Sequence, residues 1–145
     1  MSEKYNHTQI GYLMIYALGG SLMLMIILMS RIEFDWIASL VFVIVVFSLF
    51  LFYKLTVIIR DRIIEIKFGL GLIRKTFKID DIKSCRSVKS PWYCGWGIRL
   101  IPYGWMFNVS GFHSVELTMK NGHMYRIGTD EPEILLKNIQ ESLNK

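Results

Sequence analysis

Residues 10–30 read IGYLMIYALGGSLMLMIILMS, and after the five-residue connector RIEFD, residues 36–53 read WIASLVFVIVVFSLFLFY. The first stretch carries no charge over 21 positions, enough for a helix to cross a bilayer, and the uncharged run extends back to Tyr5. The second is uncharged over 18 positions and apolar on every face, so it lacks the polar stripe of a helix resting on a soluble core. Its β-branched residues lower helix propensity, yet a lone strand leaves its backbone groups unsatisfied in lipid, so a helix is predicted there too. A cleaved signal peptide fits poorly: the apolar run is too long, no small-residue cleavage site follows, and a second span comes five residues later.

The connector 31–35 is too short for a domain, so the two spans form a helical hairpin with both flanks on one side of the membrane. Arg31 stands there beside Glu33 and Asp35, whereas Lys54, Arg60, Arg62, Lys67, Arg74, Lys75 and Lys78 follow the second span. The positive-inside rule then places both flanks in the cytoplasm and the protein in the cytoplasmic membrane. Trp36 and Tyr53 suit the two membrane–water boundaries, with Lys54, Arg60 and Arg62 as basic neighbours of the inner one. Ala17, Gly20, Ser21, Ala38 and Ser39 allow close helix packing within the hairpin.

The sequence divides into a hairpin over 1–53 and a second domain over 54–145. Residues 56–60 and 63–68 are β-branched runs split by Asp61-Arg62, as in a β-hairpin, and 72–78 resumes the pattern after a glycine break. A bend at 79–82 leads to a polar strand over 83–88. Residues 91–111, PWYCGWGIRLIPYGWMFNVSG, hold three tryptophans and four glycines and read as a hairpin turning at Pro102-Tyr103-Gly104. Residues 115–120 alternate with Val115, Leu117 and Met119 inward, and Asn121-Gly122 predicts a type I′ turn into the strand 123–128. Asp130 is expected to cap a final helix with Glu133 as its reciprocal partner. Leu135, Leu136, Ile139 and Leu143 share one face of that helix, which would close an apolar opening. About seven antiparallel strands capped by one C-terminal helix make an α+β barrel or sandwich.

The order of spans, strands and helix resembles bacterial membrane proteins with a pleckstrin-homology-like (bacterial PH) domain behind two spans. Gly95-Trp96-Gly97-Ile98-Arg99, Asn108-Val109-Ser110-Gly111 and Gly128-Thr129-Asp130-Glu131-Pro132 carry the likeness. It covers essentially the whole chain and implies architecture; the fold itself hosts lipid, peptide and self-assembly surfaces alike.

Enzymatic signatures are missing from the sequence: no Gly-x-Ser-x-Gly elbow, no phosphate-binding loop, and no third glycine after Gly95-x-Gly97. Cys85 and Cys94 lack a metal or redox spacing, so no metal and no cofactor is expected. Residues 55–90 hold nine lysines and arginines against four acids, which suits anionic headgroups; no nucleic-acid motif accompanies them. The expected function is a non-enzymatic scaffold that binds a protein partner or a second copy at the membrane face, with anionic-lipid sensing as the first alternative and a membrane-associated enzyme as the second. Candidate binding residues are Trp92, Tyr93, Trp96, Arg99 and Asn108. Trp92 should be partly exposed and Trp105 buried, and Arg99 should contact Asn108 or a ligand.

Overall fold

In the computed structural model, which describes residues 3–33, 35–102 and 104–144, the helical hairpin grows out of a pair of strands. Strand β1 (Glu3–Ile10) runs into helix α1 (Tyr12–Met29), and helix α2 (Trp36–Phe52) runs into strand β2 (Lys54–Arg60). The two strands are antiparallel, with Ile10 opposite Lys54 and His7 opposite Val57. At the junction the Gly11 N–H donates to the Tyr53 carbonyl at 2.7 Å, so the ladder continues to the helix bases. Residues 3–10 therefore belong to a sheet, which corrects the division at residue 54.

Neither α1 nor α2 has a buried residue, although the two pack against each other. Helix α1 is long and apolar enough to cross a membrane, whereas α2 is shorter. The hydroxyls of Ser21, Ser39 and Ser48 each donate to the carbonyl four residues earlier, which satisfies them within their own helix. Asp35 caps α2 by accepting from the Ile37 N–H.

Strands β3 (Ile63–Phe68) and β4 (Ile73–Lys78) complete a four-stranded sheet in the order β1-β2-β3-β4. A second sheet holds β5 (Ile82–Lys89), β6 (Gly97–Ile101), β7 (Gly104–Asn108), β8 (His113–Met119) and β9 (Met124–Gly128), in the order β5-β8-β9-β7-β6. The described residues thus form nine strands where about seven were expected. Pairing is antiparallel except between β7 and β9. Strand β9 turns back from β8 and slots beside β7, and Gly104 permits this because a Cβ there would run into the Met124 carbonyl.

Turn chemistry also differs in place. Asp61 and Arg62 both adopt positive φ, as a type I′ turn requires, whereas Asn121 does not. Instead the Asn121 side chain accepts from the His123 N–H. The turn after β6 includes Tyr103, which lies outside the described residues.

The core lies between the sheets: Leu55, Val57, Ile64, Ile66 and Phe77 meet Phe107, Val109, Val115, Leu117 and Ile127. Helix α3 (Pro132–Leu143) crosses β5, β8 and β1 and buries Leu135 and Ile139 completely. Leu136 and Leu143 are only partly buried. Asp130 does not cap this helix, since the Thr129 hydroxyl accepts from the Glu131 N–H and Asp130 is engaged by His7 at 2.7 Å.

Candidate functional site

The register of the five-stranded sheet sets one row of side chains across its outer face. Arg86 on β5 faces Glu116 on β8, which faces Arg126 on β9; Met106 on β7 and Arg99 on β6 continue the row. Their chain neighbours Val115, Leu117, Ile127 and Phe107 point into the core, as strand alternation demands.

Glu116 is only 1% exposed although it faces away from the core. Its Oε1 accepts from Arg86 Nε at 2.8 Å and lies 2.7 Å from Arg86 Nη2 in an ion pair, and its Oε2 accepts from Arg126 Nε at 2.8 Å. Burial alone would push the carboxyl up. The hydrogen bonds from Arg126 and Arg86, with their charges, outweigh it and hold Glu116 below the ordinary glutamate range. Such a carboxylate stays charged and positions the two guanidiniums. Arg86, most of whose side chain is exposed, keeps further donors for a ligand.

Over this row folds the segment after β5, where Trp92–Cys94 form one 3-10 turn. Tyr93, Cys94 and Pro91 line a cleft of about 410 Å3 with Arg86, Lys89, Glu116 and Arg126. Three cations against one neutralised acid make the cleft positive. Trp92 lines an adjoining apolar groove with Lys89, Ser90, Pro91 and Phe112.

The expected site residues divide accordingly. Trp92 is 75% exposed and meets Tyr93 edge-on at 6.3 Å. Trp96 is half-buried against Phe112. Arg99 is exposed, and its Nε donates to the Trp96 carbonyl at 3.2 Å. Asn108 is buried and closes its own loop, accepting from the Ser110 N–H and donating to the Gly111 carbonyl. The expected Arg99–Asn108 contact is not made, because Asn108 pairs with Gly97 while Arg99 pairs with Met106. Trp105 is 45% exposed, since it lies beyond Phe107, the last core residue toward that end of β7.

Among the residues expected at a membrane boundary, Tyr53 and Lys54 sit at the helix bases, with Lys54 Nζ 5.2 Å from the Tyr53 ring centre. Trp36 starts α2 at the opposite end of the hairpin. Arg60 ends β2, about 20 Å from Lys54 at about 3.3 Å per residue. Arg62 is engaged by Asp80 and by the Ser142 carbonyl.

Arg86, Glu116 and Arg126 were not singled out from sequence. Their signal is one acid in mid-strand among apolar neighbours, with an arginine near the middle of two other strands; only the strand order reveals the row. Comparison with family models, with curated proteins and with solved structures found no match to this chain.

Proposed function

We propose that the chain is a membrane-anchored, non-enzymatic binding module whose positive cleft takes an acidic segment of a partner protein or of a second copy. The observation that carries this reading is the buried Glu116 fixing two arginines beside exposed Tyr93 and Trp92. Arginine and aromatic side chains in a fixed arrangement are the residues that most often dominate interface energies. Glu116, saturated by two guanidiniums, is a positioning group and is ill suited to move a proton.

The ladder supports an anchor made of both helices. Ile10 and Lys54 are paired, so the bases of α1 and α2 lie at one end of one sheet. If α1 enters a bilayer, α2 brings the chain back to the same face: two spans or none. At 1.5 Å per residue the 17 residues of α2 reach about 25 Å, short of a core of about 30 Å; Trp36 and Tyr53 extend it into the boundary layers. The basic excess after α2 puts the sheets on the cytoplasmic side. Two sheets enclosing one core with a C-terminal helix across them support a PH-like module.

A photo-crosslinking amino acid at Tyr93 tests the cleft in native membranes. The reading expects a discrete protein adduct, or a dimer of this chain, whose yield falls several-fold when Arg86→Gln is added. Adducts to lipid alone, or a protein adduct indifferent to Arg86→Gln, would refute it.

A further inference from the structure

The turn between β3 and β4, residues 69–72, has the sequence Gly-Leu-Gly-Leu where turns ordinarily carry polar residues. Leu70 and Leu72 are 66% and 67% exposed. The turn is pressed against the end of α2: the Gly69 N–H donates to the Lys54 carbonyl at 2.9 Å, and φ at Gly69 is +54°. A Cβ at Gly69 would run into the carbonyl oxygens of Phe50 and Leu51.

Leu70 shares an apolar groove with Ile15, Leu49, Phe50 and Tyr53. Ile15 is three residues into α1 and Leu49 three residues before the end of α2. The tip of the turn thus stands about 5 Å, close to one helical turn, past the helix bases. Directly beneath it lies a cationic collar. Lys54 starts β2, Lys67 faces Arg74 across β3 and β4 and pairs with Glu65 at 3.3 Å, and Arg74 Nε donates to the Gly71 carbonyl at 2.7 Å, so three cations stand against one acid.

We infer that residues 69–72 insert Leu70 and Leu72 into the acyl–headgroup boundary of the bilayer that α1 enters, with Lys54, Lys67 and Arg74 against anionic headgroups. This rests on the membrane-anchored reading above. Lipid is the occupant because the walls of the groove are the outer surfaces of α1 and α2, which lipid covers in a spanning hairpin. Apolar side chains over a basic collar are what the boundary layer of an anionic membrane favours. The sheets are then held to the surface by a third contact, and the Arg86–Glu116–Arg126 cleft keeps a set orientation to the bilayer.

The test is nitroxide labelling of the full chain in nanodiscs of phosphatidylcholine with phosphatidylglycerol. Single cysteines replace Leu70, Leu72, Leu24 in mid-α1, or Leu100 on β6, in a Cys85→Ser, Cys94→Ser background. All four leucines are exposed, so the labels disturb no core. Labels at 70 and 72 should collide with oxygen and be protected several-fold from a water-soluble nickel chelate relative to the label at 100. Nickel access equal to that at 100 would overturn the inference while a lipid-buried label at 24 keeps the anchoring. Shielding at 70 and 72 from both relaxants would also overturn it, since protein would then cover the turn. A label at 24 open to nickel would sink the anchoring and the insertion together.

Discussion

Replacing Glu116 by glutamine removes the charge that holds Arg86 and Arg126 while keeping the shape of the side chain. Removing one partner of a buried ion pair costs about 3–5 kcal/mol. Arg86 is largely exposed and returns to water, so only the less exposed Arg126 is stranded in full. The expected loss is therefore near the lower bound, about 3 kcal/mol. At about 4 °C per kcal/mol this lowers Tm by about 12 °C, read by near-ultraviolet circular dichroism of the full chain in nanodiscs. Adding Arg126→Met to Glu116→Met should recover much of the loss, because an apolar pair of similar volume leaves no stranded charge. The pH dependence has a definite sign. The carboxyl lies below its ordinary value in the folded state, so its contribution is complete above the unfolded value of about 4.3 and disappears as pH falls through the lower folded one. The Tm gap between wild type and Glu116→Gln should stay constant near neutrality and close in that acid range. A variant within about 1 kcal/mol of wild type at neutral pH would refute the positioning role.

Leu135→Ala should cost about 2–5 kcal/mol because the side chain is fully buried, and Leu136→Ala, only partly buried, should cost less in the same denaturation experiment. The Tyr5 hydroxyl is pushed up to about 12 by burial and by the charges of Glu131 and Asp130, with the neighbouring Thr129 acting in the opposite direction. A raised value means stability present below pH of about 10 and lost as pH rises through the folded value, so Tyr5→Phe should show a shallower alkaline decline than wild type. Trp92→Ala should unfold within about 0.5 kcal/mol of wild type while weakening the adduct formed from Tyr93.

Local chemistry was legible where it agreed with tertiary packing. Val115, Leu117 and Met119 alternate inward as their spacing demands, Leu135 and Ile139 lie on the buried face of α3, and Trp92 is exposed on its loop. What could not be read depends on neighbours distant in sequence. Strand β1 has no β-branched run; its Tyr5, His7 and Gln9 face inward only because β2 pairs beside it. The slotting of β9 between β8 and β7 is a choice among strand orders that no single hairpin encodes. Glu116 is outward by alternation yet buried, at a cleft it shares with Pro91, Tyr93 and Cys94 and where two arginines arrive from other strands. Asn108, a candidate for contact with Arg99 or a ligand, is occupied by the loop it closes.

Cysteine accessibility in intact cells reads the topology directly, in a background with Cys85 and Cys94 replaced by serine. A cysteine at Glu33, between α1 and α2, should react with an impermeant thiol reagent, whereas cysteines at Lys4 and Asn144 should react only after lysis. Labelling of Lys4 and Asn144 with protection of Glu33, or equal labelling of all three before lysis, would contradict a two-span anchor carrying its sheets in the cytoplasm.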